Sequence, residues 1–160
     1  CKSLTSIDFS NFNTKNVVNM NKMFHECSSL TSINISNFDT QSVTGMYNLF
    51  YGCSSLTSLN LSNFDTKNVK DMYGMFQFCK SLTSIDLSYF NTSSLNYMDY
   101  MFHFCPSLRY IDLSTFNVLK YDSLISLFLD LPDTGVIKIN KKIYDKLNDE
   151  IPPDWNVTIT

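Results

Sequence analysis

Hydrophobic and polar residues follow two different periods within one 26-residue stretch, which is clearest from Cys53 to Phe78. The first part carries Leu56, Leu59, Leu61 and Phe64 in the pattern L-x-x-L-x-L-x-x-F. The middle of this pattern alternates between apolar and polar residues, as a short β-strand with one buried face does. The first half of the stretch is therefore predicted to form a strand that ends near Phe64.

The second half of the stretch changes to a longer period. Val69, Met72, Met75, Phe76 and Cys79 lie at i, i+3, i+6, i+7 and i+10, which is close to helical spacing. Residues that often cap helix N-termini precede these segments. They are Asn16, Ser42, Asn68 and Ser94. The spacing predicts a short helix, so that each unit runs from a strand through a turn into a helix.

The same pattern recurs along most of the chain with a fixed 26-residue step. Three sets of residues keep this step: Cys1, Cys27, Cys53, Cys79 and Cys105; Phe12, Phe38, Phe64, Phe90 and Phe116; Phe24, Phe50, Phe76, Phe102 and Phe128. A period of this length is typical of solenoids, in which each unit buries its apolar face against the next. We number the five copies repeats one to five, starting at residues 1, 27, 53, 79 and 105.

These residues resemble the leucine-rich repeat, and more narrowly the repeats of BspA-like surface proteins, which read SLTSIDLSNFDT...V..M..MF..C. The resemblance covers residues 1 to about 130. It implies an α/β fold, a right-handed leucine-rich-repeat solenoid with a parallel sheet on one face and short helices on the other. Phe12 and its equivalents stand where the common repeat has Asn or Cys, so the usual buried asparagine ladder is not expected.

The repeat pattern stops at residue 131, and a different composition follows. Nine of the 27 charged residues fall in residues 131–160. A turn cluster at 132–135 precedes a predicted strand at 136–139, a charged helix at 141–149 and a last strand at 155–159. We therefore predict five repeats over residues 1–130 and a strand-helix-strand cap over 131–160, with Trp155 closing the end of the core.

Composition and charge exclude several classes of function. The formal net charge of -3 offers no basic surface for nucleic acid, and no apolar run reaches the roughly 18 residues of a membrane span. The chain lacks an initiator methionine and a signal peptide, so we expect it to be a piece of a longer protein. No phosphate loop, nucleophile elbow or zinc motif is present in the sequence, and we expect neither an enzyme nor a cofactor or metal site.

The five cysteines recur once per repeat in the same position. We expect them to stack as a ladder of small buried side chains rather than to bind metal. Neighbouring strands lie about 4.8 Å apart, which leaves disulfide pairing open.

Small polar residues occupy the outward positions of the predicted strands. They form rows of Ser and of Asp or Asn, which suit either a solvated surface or a binding face. In repeat five, Tyr110 introduces an aromatic side chain beside Asp112, and exposed aromatic residues favour protein binding. The predicted binding residues are Ser58, Asn60, Ser84, Asp86, Tyr110 and Asp112.

The resemblance implies a cell-surface or extracellular module for protein recognition or adhesion. Its partner would be a protein ligand, for which the surface of a host or neighbouring cell is the expected source. A structural spacer or scaffold without a ligand of its own is the alternative, and an intracellular scaffold would suit free cysteines. The sequence leaves these possibilities open.

Overall fold

The computed structural model describes residues 1–117 and 125–160. One parallel four-stranded sheet lies in the C-terminal half, with strand order β1-β2-β3-β4. Its strands are β1 (Ser84–Asp86), β2 (Tyr110–Leu113), β3 (Val136–Ile139) and β4 (Asn156–Ile159). Between β3 and β4 lie the helix α1 (Lys141–Leu147) and a 3-10 turn (Asn148–Glu150). The chain is thus a small α/β protein with few helices.

The sheet extends the register of the repeats into the C-terminal segment. Ser84 pairs with Tyr110 and Tyr110 with Val136, so that both pairings keep the 26-residue step of the sequence. Val136 then pairs with Asn156, so that the last step is shorter. Strands predicted in repeats one to three are not formed among residues 1–83. Between the predicted strand regions of repeats three and four, Thr83 N donates to Thr57 O at 3.3 Å.

The predicted helices of the repeats are absent from residues 1–117, and this prediction is wrong. The segments concerned are residues 20–26, 46–52, 72–78 and 98–104, which we call the turn segments. A helix needs each N–H to donate to the carbonyl four residues earlier. In the turn segments alternate N–H groups donate instead to the next repeat, as Met72 N does to Tyr97 O at 2.8 Å.

These inter-repeat bonds all point in one direction. The N–H groups of Met46, Asn48, Phe50 and Gly52 donate to the carbonyls of Asp71, Tyr73, Met75 and Gln77, over 2.8–3.0 Å. Within the turn segments no backbone N–H of a later repeat donates to a backbone carbonyl of an earlier repeat among the described residues. The remaining N–H groups close turns, such as Met75 N to Met72 O at 3.2 Å. Each turn segment therefore has a donor side and an acceptor side.

Two positions in every turn segment, and the two equivalent residues of repeat five, have a left-handed backbone, which a right-handed helix cannot contain. They are Lys22, Asn48, Gly74, Tyr100 and Ser126 at one position, and Glu26, Gly52, Phe78, Phe104 and Asp130 at the other. Their φ values lie between 52° and 70°. In repeats one to three these residues stand third in turns closed by an i to i+3 hydrogen bond, where a type II turn requires positive φ. The helical spacing of apolar residues is thus produced by a series of turns.

Phenylalanine side chains stack through the centre of the repeats. The Phe24, Phe50, Phe76, Phe102 and Phe128 rings follow one another with centroids 5.3, 6.0, 5.7 and 6.1 Å apart, and all are buried. Their planes lie within 12° of parallel. Burial of each such ring contributes roughly 2–3 kcal/mol, so this stack is a main source of stability between repeats.

The cysteines form the predicted ladder and are free thiols. Cys27, Cys53, Cys79 and Cys105 are buried, and Cys1 is exposed. Each Sγ of the last three donates to a carbonyl of the preceding repeat, for example Cys79 to Phe50 O at 3.2 Å. Burial raises the pKa of Cys53 and Cys105 to about 12. The buried thiols therefore act as small side chains of the core, and those of Cys53, Cys79 and Cys105 also donate weak hydrogen bonds.

The C-terminal segment covers the last repeat. Ile143 and Leu147 of α1 are buried, and Asn140 caps the helix by accepting a hydrogen bond from Lys142 N. Trp155 is also buried and its Nε1 donates to Pro132 O at 2.8 Å. The predicted strands at 136–139 and 155–159 match β3 and β4.

Candidate functional site

The row of Asp and Asn residues on the strand side has a structural role in the local backbone. In each repeat its side chain accepts a hydrogen bond from the N–H two residues later, as Asn60 Oδ1 does from Ser62 N at 3.0 Å. The equivalent acceptors are Asp8, Asn34, Asp86 and Asp112. This is an Asx turn, which favours Asp and Asn for a reason unrelated to binding.

Four of the predicted binding residues have side chains at the solvent-exposed surface. Ser58, Asn60, Ser84 and Asp86 are exposed. The sheet register places Ser84 beside Tyr110 and Asp86 beside Asp112. These residues form a polar surface of small side chains, and Ser58 and Asn60 precede the sheet in repeat three.

Asp112 differs from the expected exposed anchor because it is buried, with 5% of its surface accessible. Tyr110 Oη donates to its Oδ2 at 3.2 Å, and Lys138 Nζ lies 3.6 Å from the same oxygen. Lys138 also stands over the Tyr110 ring, 5.7 Å from the centroid. The alternation of buried and exposed positions along the strand predicted an exposed Asp112. This prediction is wrong, because Lys138 of β3 covers the Asp112 side chain.

Electrostatics at Asp112 favour its ionised form. Burial acts to raise the pKa of this carboxyl, but hydrogen bonds from Ser114 and Tyr110 and the charge of Lys138 outweigh it and lower the pKa below the ordinary value. The cluster of Tyr110, Asp112 and Lys138 therefore holds β2 and β3 together and keeps few groups free for a ligand.

A different surface offers a cavity with an aromatic wall. A cavity of about 310 Å³ crosses repeats one to four beside the turn segments, and we call it the groove. It is lined by Lys2, Glu26, Ser28, Tyr51, Gly52, Ser54, Phe78 and Lys80. The sequence patterns did not indicate it, because its residues belong to positions that differ between repeats.

Charge and aromatic side chains meet in the groove. Lys2 Nζ pairs with Glu26 Oε2 at 3.5 Å, whereas Lys80 forms no ion pair among the described residues. The Tyr51 and Phe78 rings pack edge to face with centroids 5.2 Å apart. The groove therefore combines an apolar wall with a net positive charge.

Further aromatic rings extend the wall of the groove in both directions. His25 stacks on Tyr51 at 4.6 Å, and Phe78 stacks on Phe104 at 5.0 Å. Phe104 is 40% exposed. His103 contacts Phe104 with ring centroids 4.7 Å apart, and its Nε2 lies 3.3 Å from Asp130 Oδ2 of repeat five. Half-buried aromatic side chains thus form a continuous row across repeats one to four.

A second cavity lies on the strand side, away from Tyr110. Its volume is about 320 Å³, and it is lined by Ile7, Asp8, Phe9, Ser10, Asn34, Ser36 and Asn37 of repeats one and two. Asp8 and Asn34 are engaged in Asx turns there. This cavity offers fewer free groups than the groove.

Within residues 1–117 and 125–160, no cluster of three or more His, Cys, Asp or Glu side chains is placed to hold a metal ion. The helices of the same part of the chain are too short to cross a membrane. His25 and His103, which occupy the same position of repeats one and four, contact aromatic rings.

The chain is an α/β protein in which β1, β2 and β3 run parallel and pair in 26-residue steps. A family model described as "Mycoplasma protein of unknown function, DUF285" matches residues 1–109 and 58–133. These two matches cover most of the chain, which therefore belongs to this family. No curated protein and no solved structure matches the chain.

Proposed function

We propose that this chain is a protein-recognition module built as a right-handed leucine-rich-repeat solenoid of the BspA-like type. It would be displayed at a cell surface or outside the cell, and its partner would be a protein on a host or neighbouring cell. The five in-phase repeats and the parallel direction of β1 and β2 support this architecture. The repeat motif supports the family type and the location.

The groove is the observation that carries the proposal. Aromatic residues dominate the binding energy of many protein interfaces, and Tyr51, Phe78 and Phe104 lie together at the surface here. Lys80 adds a positive charge without an acidic partner among the described residues. A cavity of about 310 Å³ has room for one or two side chains of a protein ligand.

The polar strand-side surface is a competing binding site. Ser58, Asn60, Ser84 and Asp86 are exposed there, and their prediction as binding residues stands beside the groove. Tyr110 is half-buried against Lys138, and Asp112 is engaged within the fold. The groove is favoured because its aromatic side chains contact one another, whereas Tyr110 and Asp112 contact Lys138 of β3.

Variants of the two surfaces test whether a protein ligand binds in the groove or on the strand side. The chain would be immobilised and used to capture proteins from surface extracts, and the captured partner would be identified and titrated against three variants. Tyr51→Ala with Lys80→Glu changes the groove, Ser58→Arg with Asp86→Arg changes the strand side, and Lys15→Glu is an exposed control.

We expect the groove variant to weaken the affinity at least about tenfold and the control to leave it unchanged. Loss of binding in the strand-side variant alone would contradict the groove and favour the site predicted from the sequence. If no partner binds the unmodified chain, or if neither surface matters, the alternative of a structural spacer or scaffold is favoured instead.

A further inference from the structure

One position of the repeat places a glycine in the wall of the groove. The equivalent residues are Glu26, Gly52, Phe78, Phe104 and Asp130, and all five have positive φ, between 54° and 70°. Because Glu, Phe and Asp adopt this backbone in the other repeats, the backbone alone does not require a glycine in repeat two. The absence of a side chain at Gly52 instead leaves a space between Glu26 and Phe78, which we call the notch.

The notch has room for a side chain. A Cβ added to Gly52 would meet its nearest neighbour, Glu26, at an ordinary 3.4 Å. Ser28 and Ser54 line the groove beside it, and both are small. The space at Gly52 is therefore open to a side chain of a ligand.

Aromatic rings border the notch on the side of repeat three. Phe78 stacks on Phe104 with centroids 5.0 Å apart, and Tyr51 meets Phe78 edge to face at 5.2 Å. Tyr51 and Phe78 are half-buried and line the groove. A ligand ring in the notch would contact them in the offset-stacked or edge-to-face arrangements that aromatic pairs prefer. The notch therefore favours an aromatic side chain.

The unpaired charge of the groove lies at one end of it. Lys80 is exposed and forms no ion pair among the described residues. At the other end Lys2 Nζ pairs with Glu26 Oε2 at 3.5 Å, so this end carries no net charge. A polyanion such as a sulfated glycan would have to pass Glu26, which repels it. The charges therefore favour a peptide that brings one carboxylate to Lys80.

Lys80 lies about one repeat beyond the notch. It occupies the position of Ser54 in the next repeat, and Ser54 follows Gly52 by two residues. Equivalent rings in neighbouring repeats are 5.0 Å apart at Phe78 and Phe104. In an extended peptide every second side chain points to the same face, about 6.6 Å further along. A lysine side chain is long enough to cover the difference, so residues two positions apart in a ligand reach the notch and Lys80 together.

We propose that the groove binds an extended segment of a protein ligand, with an aromatic side chain in the notch and an Asp or Glu carboxylate, two residues away, paired with Lys80. This inference rests on the proposed function and names the chemistry of the ligand that the groove selects. Tyr51 and Phe78 contact the ring, and Lys80 Nζ donates to the carboxylate. Gly52 determines the specificity, because a side chain there would occupy the place of the ligand ring.

Short peptides test this chemistry. Acetyl-Gly-Thr-Phe-Thr-Asp-Thr-Gly-amide and the reversed sequence acetyl-Gly-Thr-Asp-Thr-Phe-Thr-Gly-amide are both used, because either chain direction satisfies the spacing. Their blocked ends carry no charge. Each would be titrated into the isotope-labelled 160-residue chain and followed by NMR. The matched control, acetyl-Gly-Thr-Phe-Asp-Thr-Thr-Gly-amide, has the same composition but sets the ring and the carboxylate on opposite faces.

We expect at least one of the two peptides to shift the amide signals of Tyr51, Gly52 and Phe78, and to bind at least about threefold more tightly than the control. Gly52→Phe, which gives repeat two the residue of repeats three and four, should weaken binding at least about tenfold. Lys80→Glu should also weaken it. Replacing the peptide Asp by Lys should then restore the affinity to within about threefold, because the ion pair is rebuilt with the charges exchanged.

No shifts at millimolar peptide, unchanged binding in a folded Gly52→Phe chain, or no rescue by the charge exchange would overturn the inference. If Gly52→Phe lowers the Tm so far that the chain unfolds, the charge exchange decides alone. Tighter binding of a sulfated oligosaccharide than of the peptides would assign the groove to a different ligand and would also overturn it.

Failure of the inference can be told apart from failure of the proposed function. A captured protein whose affinity depends on Tyr51 and Lys80, while neither peptide binds, would contradict the aromatic and acidic ligand alone. A captured protein that is insensitive to changes of Tyr51 and Lys80 would contradict the groove itself.

Discussion

Thr40 and Asp65 are joined by two hydrogen bonds between neighbouring repeats. Thr40 Oγ1 donates to Asp65 O at 3.0 Å and accepts from Asp65 N at 2.8 Å. Thr14 bonds Asp39 and Thr66 bonds Asn91 in the same way. These buried hydroxyls each satisfy a backbone N–H and a backbone carbonyl of the next repeat.

Thr40→Val should destabilise the chain by about 1–3 kcal/mol, because the isosteric change leaves the N–H and the carbonyl of Asp65 without a partner. Thr31→Val is the matched control, since Thr31 is exposed. Denaturant unfolding measures both. Equal midpoints for the two variants would show that the threonine row does not connect the repeats.

Only Cys1 should react with iodoacetamide at pH 8 in the folded chain. The thiolate is the reactive form, and burial raises the pKa of Cys53 and Cys105 to about 12 and that of Cys79 well above its ordinary value. Mass spectrometry should count one adduct under native conditions and five in guanidinium, as the chain has five cysteines. Rapid labelling of two or more cysteines in the native chain would contradict the buried ladder.

Gly74→Ala should cost more stability than Gly52→Ala, although both glycines have positive φ (58° and 70°). A Cβ at Gly74 would lie 2.3 Å from Oδ1 of the buried Asn48, whereas a Cβ at Gly52 would meet Glu26 at an ordinary 3.4 Å. We expect about 1 kcal/mol for the backbone strain at Gly52 and a larger loss at Gly74. Thermal unfolding of the two variants provides the comparison, and the reverse order would contradict the packing of Asn48 against Gly74.

Asp112 should make the chain less stable in acid. Its pKa is lowered in the folded state, so its contribution is present above the unfolded value of 3.8 and is lost as the pH falls through the folded value. Asp112→Asn should therefore flatten the loss of stability as the pH falls below 3.8. Tyr110→Phe, which removes one hydrogen bond to the carboxylate, should have a smaller effect in the same direction. An unchanged acid dependence in Asp112→Asn would show that Lys138 and Tyr110 do not stabilise the ionised form.

The sequence predicted the register of the repeats and the buried phenylalanine and cysteine rows, because each depends on identity at a fixed 26-residue step. It also predicted the elements of the C-terminal segment, where ordinary strand and helix patterns apply. The prediction of helices was wrong because Met72, Met75 and Phe76 have helical spacing in a segment whose backbone N–H groups donate to the next repeat. Gly52, Gly74 and Asn48, which tolerate positive φ, were the available signal for turns.

Most of the candidate site could not be predicted from the repeat pattern, because the pattern describes only the positions that recur. The groove depends on Tyr51, Phe78 and Lys80, which occupy positions that vary from repeat to repeat. Asp112 was assigned by alternation alone, and its burial follows from Lys138 on a strand outside the repeats. The threonine row had a visible signal, since Thr14, Thr40, Thr66 and Thr92 keep the 26-residue step.

The one-directional bonding of the turn segments determines how each repeat contacts the next. NMR couplings transmitted across hydrogen bonds report directly which carbonyl accepts from each N–H. We predict a correlation from Met72 N to the carbonyl of Tyr97, and from Phe76 N to that of Met101, so that both acceptors belong to the next repeat. Correlations to carbonyls four positions earlier in the same repeat would instead demonstrate helices and contradict this account.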